Sequence, residues 1–437
     1  MGQGKGDPKC IVIATIGSLG DLHPCLSLAL ELARRNHRVT IASTEYYRNK
    51  VEESGIRFYP IRPNWNPTDR EIIRQCEDLK RGPEILYRKL ILPHLRATYD
   101  DLRSAAVDAD LMIAGELVYA APLVSESLGL RWVSVILSPF SFFSSHDPSV
   151  MVSVPGLMRL RGAGWRVYRA GLNVCRLATR HWSNPVRRLR RELGLRTQCD
   201  PVFRDKFSPD LVLALFSRVL AQSQPDWPPQ TVQPGFVYYD RQPPRTEGFA
   251  ELERFLAYGD PPIVFTQGST AAHNPGDFYE VSAEVARLLR RRAVLIGGSE
   301  FSREQKTDIL AIRYVDYSKV FPHAAAIVHQ GGSGTTGQAL RAGRPTLIVP
   351  YGWDQPDNAV RVHRLGTGLW LERTDYSAGT AVAALQTLLG NPLFASRALE
   401  VKAQLQKEDG LNGACDAIQT VLTGTEIQDR ATSAGRY

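Results

Sequence analysis

Residues 327–358 read IVHQGGSGTTGQALRAGRPTLIVPYGWDQPDN, and they are the most informative stretch of the chain for its architecture. The stretch begins as an apolar strand that ends at His329, turns through glycines, and opens a helix at Thr335 and Thr336. A second apolar strand, 345–350, follows the helix and ends in a polar loop. Strand, glycine-rich turn, helix and strand in this order predict an α/β unit with parallel strands.

The glycine-rich turn predicts an anion-binding site. Its residues Gly331, Gly332, Ser333 and Gly334 allow backbone N–H groups to approach a ligand, and the dipole of the following helix adds partial positive charge. His329, at the end of the strand, can add a charge-assisted hydrogen bond to a phosphate oxygen. We therefore expect a diphosphate to bind at this turn.

Asp354 and Gln355 follow the second strand of the same stretch. The carboxyl ends of parallel strands meet at one edge of a sheet, so these side chains should lie near the turn. A carboxylate and an amide together accept and donate hydrogen bonds, as sugar hydroxyls require. Diphosphate on one side and sugar on the other indicate a nucleotide sugar.

The same residues resemble the donor-binding signature of glycosyltransferase family 1, whose members have the GT-B fold. The signature reads H-C-G-W-N-S…D-Q in plant members and H-x-G-G-x-G-T…D-Q in bacterial members. This chain matches the bacterial form at His329, Gly331, Gly332, Gly334, Thr335, Asp354 and Gln355. The resemblance implies two doubly wound Rossmann-like domains facing across a cleft. It also implies inverting transfer of a sugar from a UDP- or dTDP-sugar, without a metal or other cofactor.

Length and composition agree with such an architecture. At 437 residues the chain exceeds one usual core, and its hydrophobic (43%) and charged (22%) fractions are those of a globular protein. No apolar run reaches the ~20 residues of a membrane span, and the N-terminus has no apolar signal core. Six scattered cysteines without a CxxC pair are typical of a reduced, cytoplasmic protein.

Alternating strand and helix patterns predict a doubly wound domain in each half of the chain. The predicted strands are 10–17, 38–43, 56–61, 111–116, 131–138, 211–216, 261–269, 293–298, 327–329 and 345–350. We place an acceptor-binding domain at 1–222, a proline-rich linker at 223–260, a donor-binding domain at 261–424 and a tail at 425–437. The stretch 139–206 shows no clear period and is predicted to be irregular.

The net charge of +8 is concentrated in the segment from Arg159 to Arg196. This segment contains eleven arginines and one acidic residue, Glu192. Tryptophan, tyrosine and leucine side chains are interleaved with the arginines. This pattern fits a basic, solvated helical excursion, and it also fits a peripheral contact with a membrane surface. Nucleic acid is disfavoured because no nucleic-acid-binding motif accompanies the charge.

The first strand ends in Gly17-Ser18-Leu19-Gly20-Asp21-Leu22-His23-Pro24, at the edge that faces the ligand crevice. The third glycine of G-x-G-x-x-G is absent, which argues against a dinucleotide site. Bacterial members of the family have a similar G-S-x-G-D-x-x-P, with the catalytic base directly after the second glycine. The resemblance thus implies that Asp21 is the base, with Ser18 and Gly20 close to the donor. A base is needed because an acceptor hydroxyl is a poor nucleophile until its proton is removed.

Three alternatives stay open at this end of the chain. His23 is a rival base, and Asp21 can instead serve only as a helix cap. Glu116, at the end of another strand, can raise the pKa of Asp21 by adding like charge. In plant members an Asp near this position holds the catalytic histidine. In this chain the base position is occupied by Asp21 and not by a histidine, so that pairing is absent and the role of Glu116 is open.

Further donor contacts are predicted at two other loops. Gly268, Ser269 and Thr270 end the strand FTQGST and resemble a pair that contacts phosphate in relatives, although an ST-turn explains them equally. Tyr314 and Val315 stand near the W-A-P-Q that stacks on the base in plant members, and a tyrosine can stack as well.

The ribose contact differs from that of plant members. Plants have a ribose-binding Glu eight residues after the histidine, where this chain has Gly337. The choice between UDP and dTDP is thereby open, and the loss of a 2′-hydroxyl contact fits a deoxyribose.

A more detailed likeness involves GSLGD, QPDWP (224–228), FTQGST, GDFY (276–279) and DQPDNA (354–359). These strings resemble bacterial rhamnosyltransferases of rhamnolipid synthesis and of flavonoid modification, which use dTDP-L-rhamnose. Rhamnose is therefore a donor candidate beside glucose, and a flavonoid, hydroxy-lipid or other natural product is the expected acceptor. Loops 62–95 and 139–180 should form its pocket, with these aromatic side chains as the predicted lining: Trp65, Phe140, Phe142 and Phe143.

No metal site is expected, because the D-x-D at Asp108 and Asp110 precedes its strand and so lies at the edge away from the cleft. Two alternative functions remain: a nucleotide-sugar epimerase of the same fold, and a non-catalytic partner that binds a nucleotide sugar. The oligomeric state is not predicted.

Overall fold

The computed structural model describes residues 7–240, 248–268, 274–297 and 308–424. Within these ranges the chain forms two parallel β-sheets, each covered by helices on both faces. The strands of the first sheet are β1 (Cys10–Ala14), β2 (Arg38–Ser43), β3 (Arg57–Pro60), β4 (Leu111–Gly115), β5 (Trp132–Ile136), β6 (Leu211–Ala214) and β7 (Thr231–Val232). Those of the second are β8 (Ile263–Thr266), β9 (Ala293–Ile296), β10 (Ile309–Ile312), β11 (Ala326–His329), β12 (Thr346–Ile348) and β13 (Gly368–Trp370).

Both sheets have a doubly wound strand order. The first is ordered β3-β2-β1-β4-β5-β6-β7 and the second β10-β9-β8-β11-β12-β13, with every pairing parallel. The chain reverses its direction of winding between β1 and β4 in one sheet and between β8 and β11 in the other. Ligands bind outside the carboxyl ends of the strands at such switch points. The predicted α/β class and the pair of doubly wound domains are thus confirmed.

The described helices are distributed along both halves of the chain. They are α1 (Leu19–Arg34), α2 (Arg48–Glu53), α3 (Arg70–Cys76), α4 (Gly82–Ile85), α5 (Leu95–Ala106), α6 (Ala121–Leu128), α7 (Pro155–Met158), α8 (Trp165–Thr179), α9 (Asn184–Glu192), α10 (Phe249–Ala257), α11 (Phe278–Leu288), α12 (Tyr317–Val320), α13 (Ser333–Ala342), α14 (Gln355–Arg364), α15 (Ala378–Gly390), α16 (Pro392–Leu405) and α17 (Gly410–Thr423). A π-helical turn, Leu86–Ile91, lies between α4 and α5.

Strand β1 shows why its sequence is a continuous apolar run. Ile11 and Ile13 pack into one core, against α1, whereas Val12 and Ala14 pack into the core on the opposite face. Successive side chains of a strand point to opposite faces, so a strand covered on both sides must be apolar at every position.

The last helix returns to the first domain. Ala414, Cys415, Ile418 and Val421 of α17 belong to the same buried core as β1 and α1. The predicted boundary at 424 places this helix in the second domain. The helix crosses over because its apolar face covers α1 and completes a core that the first half of the chain leaves open.

Two predictions about irregular segments are corrected. The stretch 139–206 contains the 15-residue helix α8 and the nine-residue helix α9, so its description as irregular is corrected, whereas the basic helical excursion predicted for 159–196 agrees with these two helices. The predicted linker contains β7, which pairs with β6, and α10. The proposed tail, 425–437, lies outside the described residues.

Candidate active site

The loops that follow the central strands bring the predicted site residues together. Asp21 follows β1 and Glu116 follows β4, on the two sides of the first switch point. In the second sheet Gly268 follows β8, His329 is the last residue of β11, and Asp354 follows β12. The charge of Asp354 contributes to raising the pKa of Asp21, which places these two carboxyls within electrostatic reach across the cleft.

Asp21 is both a cap of α1 and an available base. Ser18 is the N-cap residue, and Asp21 is the third residue of the helix in a reciprocal capping box. Oδ2 of Asp21 accepts hydrogen bonds from the Ser18 N–H (2.8 Å) and hydroxyl (3.1 Å). Oδ1 accepts none from the described part of the chain. Gly17 (φ +140°) permits this arrangement, because a Cβ there would lie 2.3 Å from Oδ2.

Burial is the main reason that the pKa of Asp21 rises to about 6, and the charges of Glu116 and Asp354 raise it further. The hydrogen bonds from Ser18 act in the opposite direction. A carboxylate with a pKa near 6 remains ionised at neutral pH and is a stronger base than an ordinary aspartate. Asp21 thus has the protonation state that a general base requires.

Glu116 pairs with a lysine that the sequence did not reveal. Its Oε2 lies 3.3 Å from Nζ of Lys206, whose side chain is 5% exposed, and its Oε1 accepts from the Ser141 hydroxyl at 2.9 Å. Asp21 and Glu116 line the same small cavity. Glu116 is therefore held by Lys206 and Ser141, and it acts on Asp21 through its charge.

His23 is poorly suited to the role of base. Its ring stacks on Tyr239, with the ring centroids 4.8 Å apart. Burial, with a smaller contribution from Lys50, lowers the pKa of His23 to about 3. So weak a base removes a hydroxyl proton less readily than Asp21. The geometry therefore favours Asp21 over His23.

The donor turn has the geometry of an anion site. Gly331 (φ +92°) needs to be glycine, because a Cβ would lie 2.8 Å from Ile348 and 3.1 Å from the Gln355 carbonyl oxygen. Helix α13 starts after Gly332, and no described side chain caps it. Its first N–H groups have no partner within the helix, and the helix begins at the carboxyl end of β11. No atom lies within 4 Å of a Cβ added at Gly334, so the space above the turn is open.

His329 is fully buried and neutral. Gly331 donates its N–H to Nδ1 of His329 at 3.0 Å, which leaves the proton on Nε2. Burial lowers the pKa of His329 to about 3. Nε2 has no partner among the described residues. An N–H donor that is buried without an acceptor is suited to a phosphate oxygen, and the charge in that bond comes from the phosphate.

Asp354 is joined to the donor turn by two hydrogen bonds. Its Oδ2 accepts from the Ser333 hydroxyl (2.7 Å) and from Nδ2 of Asn358 (2.8 Å). Asn358 also donates to the Gly331 carbonyl at 2.9 Å and is fully buried. Burial raises the pKa of Asp354 to about 6, and the charge of Glu116 adds to this. The Ser333 hydroxyl is thus engaged by Asp354, so the N–H of Ser333 is the group left for a phosphate.

Asn358 was not predicted from the sequence. It stands four residues after Asp354 in α14, so the two side chains share a helix face. That spacing is the signal that would have indicated it.

Gln355 and Gln330 complete the edge of the second sheet. Oε1 of Gln355 accepts from the backbone N–H of Tyr351 (2.7 Å) and Gly352 (3.2 Å), so the amide NH₂ is the group of this side chain that remains for a ligand. Gln330, also missed in the sequence, donates to the Thr335 hydroxyl at 3.5 Å. Its Oε1 is buried and has no partner in the described chain.

Gly268 (φ +69°) lies directly against Gln330, whose Nε2 would be 2.1 Å from an added Cβ. Ser269 and Thr270 lie outside the described residues.

The loop after β10 provides fewer candidate donor contacts than the sequence predicts. Val315 is 4% exposed and packs in the core of the second domain, so its side chain does not face a ligand. Tyr314 is partly buried, and its hydroxyl donates to Asp316 at 3.3 Å. Tyr317 stacks on Phe321 and its hydroxyl bonds to the Thr266 hydroxyl at 3.0 Å, at the end of β8.

Gly337 has no room for a side chain. Phe236 lies 2.9 Å from the position of a Cβ at residue 337, and the Tyr238 hydroxyl donates to the Gly337 carbonyl at 3.4 Å. The place where plant members carry a ribose-binding Glu is therefore filled by an aromatic ring.

The four aromatic residues predicted to line an acceptor pocket have different environments. Phe142 is 6% exposed and stacks on Trp227 (4.0 Å between centroids) within a core, so its assignment to the acceptor pocket is corrected. Phe140 and Phe143 pack on each other in the loop after β5, and Lys206 lies over the ring of Phe143. Trp65 packs at the edge of the core around β4, with its buried N–H unpaired among the described residues.

Two sets of ionic contacts hold the cleft together. Arg361 of α14 forms ion pairs with Asp357 (2.8 Å) and with Asp147 in the loop after β5 of the first domain, and Val150 donates its N–H to Asp357 at 2.8 Å. Arg361 and Asp357 are 3% and 1% exposed, so this junction is buried.

The other contact joins Glu77 of the first domain to Arg373 of the second at 3.8 Å. Among the described residues, no group of three or more His, Cys, Asp or Glu is placed to hold a metal.

Comparison with known proteins relates the whole chain to sugar-transferring enzymes. The model of the glycosyltransferase family 28 N-terminal domain matches residues 11–139, and that of the erythromycin biosynthesis protein CIII-like C-terminal domain matches 302–409. The chain is 31% identical to O-mycaminosyltylonolide 6-deoxyallosyltransferase of Streptomyces fradiae, over 94% of this chain and 96% of the relative. It is 27% identical to a sterol 3-beta-glucosyltransferase of Arabidopsis thaliana, over 94% of this chain and 65% of the relative.

Solved structures show the same fold. The calicheamicin glycosyltransferase CalG4 superposes with a TM-score of 0.67 at 17% identity, covering 96% of this chain and 99% of that one. The spinosyn rhamnosyltransferase SpnG, complexed with thymidine diphosphate, superposes with a TM-score of 0.66 at 16% identity, covering 94% and 99%.

Proposed function

We propose a reaction for this chain, which belongs to the family 1 glycosyltransferases with the GT-B fold. The reaction is inverting transfer of a hexose, rhamnose or glucose, from a dTDP- or UDP-sugar to a hydroxyl group of a hydrophobic small molecule. The observation that carries it is the placement of Asp21, with Oδ1 unengaged within the described structure, opposite the donor turn and Asp354. A base on one side of the cleft and an anion site on the other suit attack by an acceptor hydroxyl on a bound nucleotide sugar.

In this mechanism Oδ1 of Asp21 takes the proton of the acceptor hydroxyl as its oxygen attacks the anomeric carbon. The new C–O bond forms as the bond from that carbon to the diphosphate breaks, and the diphosphate leaves with the bonding electrons. A single displacement from the opposite face inverts the anomeric configuration. Nε2–H of His329 and the first N–H groups of α13 stabilise the charge on the leaving group. Asp354 and the amide of Gln355 orient the sugar.

The environment of Gly337 supports dTDP over UDP. Phe236 fills the space beside Gly337, so no carboxylate can reach a ribose 2′-hydroxyl from this position. A deoxyribose lacks the 2′-hydroxyl, so a dTDP donor loses no hydrogen bond when that carboxylate is absent. The name of the 31% identical relative refers to a 6-deoxyhexose, and rhamnose is a sugar of that class.

The acceptor is proposed to be a hydrophobic natural product or lipid that carries a hydroxyl. The names of the relatives refer to a macrolide-type compound and to sterols, both of which have this chemistry. Three of the predicted aromatic side chains remain candidates for the acceptor pocket: Trp65, Phe140 and Phe143. Glu116 and Lys206, which lie near the base, are further candidates.

A mass-spectrometric transfer assay tests the proposal. dTDP-rhamnose and UDP-glucose are each offered with a flavonol, a sterol and a hydroxy-fatty acid, with and without EDTA. We expect a conjugate with at least one acceptor, a preference for the dTDP donor, and no effect of EDTA. Isomerisation of the donor without any acceptor would instead indicate an epimerase, and loss of transfer in EDTA would contradict the metal-independent mechanism.

A further inference from the structure

Helix α8, Trp165–Thr179, has three different faces. At about 100° per residue, side chains seven apart nearly eclipse one another, so the face of each residue follows from its position. On the first face Tyr168 and Leu172 are 0% and 7% exposed, and they pack against Met151 and Leu157 of the preceding segment. This face fixes the orientation of the helix on the first domain.

The second face of α8 is apolar and lies in solvent. Val167, Val174 and Leu177 are 45%, 65% and 69% exposed. Their spacing of seven and three residues places them in one stripe, and the exposed Ala170 and Ala178 lie within it. A contiguous apolar stripe on a helix that is already anchored by another face marks an interaction site.

The third face is basic and borders this stripe. Its arginines are Arg166, Arg169 and Arg176, with Arg180 at the C-cap, and α8 contains no acidic residue. Four of the eleven arginines between 159 and 196 form ion pairs, namely Arg169, Arg176, Arg188 and Arg190. The other seven have no carboxylate partner within the described ranges: Arg159, Arg161, Arg166, Arg180, Arg187, Arg191 and Arg196.

We propose that α8 docks the protein on an anionic membrane surface, with the stripe of Val167, Val174 and Leu177 entering the headgroup region. An exposed apolar stripe edged by arginines is the pattern of helices that lie in the membrane interface. Trp165, at the start of the helix, lies on the side opposite this stripe and stacks on His146, so it is not part of the docking face.

Charge selects a lipid surface over a protein partner. A second copy of this chain could cover the apolar stripe, but it would bring the same unpaired arginines against each other. An anionic lipid surface supplies both an apolar layer and phosphate acceptors for the guanidinium groups. No described helix is long and apolar enough to cross a bilayer, so the contact lies at the surface.

Docking through α8 has one consequence for the reaction, and that consequence rests on the proposed function. The buried face of α8 shares a cluster with Phe140 and Phe143, in the loop after β5. A membrane-bound α8 would therefore bring this loop close to lipid, where apolar acceptors partition.

The experiment is co-sedimentation of the full chain with vesicles of phosphatidylcholine alone or mixed with phosphatidylglycerol. We expect binding to the mixed vesicles that weakens as salt is added, and little binding to phosphatidylcholine alone. The double variant Val174→Glu/Leu177→Glu should reduce partitioning about ten-fold or more, since each buried CH₂ contributes about 0.8 kcal/mol. Arg166→Gln and Arg180→Gln should each reduce it about five-fold, which corresponds to about 1 kcal/mol per charge.

Matched controls keep the test specific. Leu393→Glu/Leu399→Glu replaces two residues of similar exposure, 68% and 56%, on α16, and Arg103→Gln removes an exposed charge from α5. These variants should bind like the parent chain, and circular dichroism checks that all variants are folded. Equal binding to both vesicle types, no binding, or equal loss in the controls would overturn the proposal. So would light scattering that shows self-association abolished by Val174→Glu/Leu177→Glu, because the stripe would then bind a second copy.

Discussion

Ser18 donates two hydrogen bonds to the same carboxylate oxygen of Asp21, from its backbone N–H at 2.8 Å and its hydroxyl at 3.1 Å. The cap and the base are therefore not alternatives, because the cap occupies Oδ2 and leaves Oδ1 to an acceptor. The cap also fixes the carboxylate relative to the end of β1. Positioning of this kind is what a general base needs to meet a hydroxyl at hydrogen-bond distance.

Ser18→Ala should raise the apparent pKa of kcat/KM, because the hydrogen bonds of Ser18 lower the pKa of Asp21 and one of them is removed. Loss of the N-cap should also cost about 1 kcal/mol of the free energy of unfolding. The measurement is the pH–rate profile together with chemical denaturation. Ser18→Thr, which keeps a hydroxyl, should retain the parent profile, and a downward shift in Ser18→Ala would contradict the assignment.

Gly331→Ala and Gly334→Ala form a matched pair. At Gly331 the methyl group would lie 2.8 Å from Ile348 at φ +92°, so we expect a loss of about 1–3 kcal/mol in the free energy of unfolding and loss of donor binding. At Gly334 the methyl group meets no atom within 4 Å, so the fold should be unaffected while a methyl above the turn obstructs the phosphate. Thermal unfolding and calorimetric titration with dTDP separate the two effects. Unimpaired dTDP binding in Gly334→Ala would place the phosphate elsewhere.

His329→Ala should weaken the binding of dTDP about 10- to 100-fold, because a hydrogen bond to a charged group contributes about 1.5–3 kcal/mol. The change also removes the acceptor of the Gly331 N–H and the volume of a fully buried side chain, so thermal unfolding is measured beside the affinity. His23→Ala is the control, and its affinity for dTDP should match that of the parent. Equal affinities in all three proteins, measured by calorimetry, would remove His329 from the phosphate site.

Arg361→Leu should destabilise the protein by about 3–5 kcal/mol, because it leaves the buried carboxylate of Asp357 without its cation and leaves Asp147 only the exposed Arg364. Arg364→Leu is the control. Arg364 is 57% exposed and pairs only with Asp147 in the described structure, so its loss should cost less than about 1 kcal/mol. Chemical denaturation checks both values, and equal effects would show that the buried junction does not link the domains.

The same junction gives a pH dependence with a defined sign. Burial raises the pKa of Asp147, but the ion pairs with Arg361 and Arg364 outweigh it and hold the pKa below its usual value of 3.8. The stabilisation is therefore present above that value and is lost as the pH falls through the lower pKa of the folded state. Asp147→Asn should flatten the stability curve in this acidic range.

The features that could be predicted from the sequence are those formed by consecutive residues. The end of β11, the turn at Gly331 and the start of α13 follow one another, and each is specified by local chemistry. The turn after β1 was identified in the same way. Residues that act through distant contacts were missed. Lys206 meets Glu116 across 90 positions, and Phe236 fills the space at Gly337 from a different part of the chain.

Two errors have physical reasons. Phe142 was assigned to the acceptor pocket because an aromatic residue in a loop looks the same whether it faces a ligand or stacks on Trp227. The stretch 139–206 shows no single helical period because the apolar residues of α8 are divided between two faces, one buried and one exposed. Such a division obscures the single-stripe period of an ordinary surface helix.

The role of Asp21 as general base predicts a specific pH dependence of kcat/KM in the parent enzyme and its loss in Asp21→Asn. Since the base acts when deprotonated and its pKa is about 6, parent activity should fall as the pH drops below 6 and level off above it. Asp21→Asn should bind dTDP normally, lose roughly 10²- to 10⁴-fold in rate, and lose this dependence. A variant that keeps the parent rate, or the parent profile, would contradict the account.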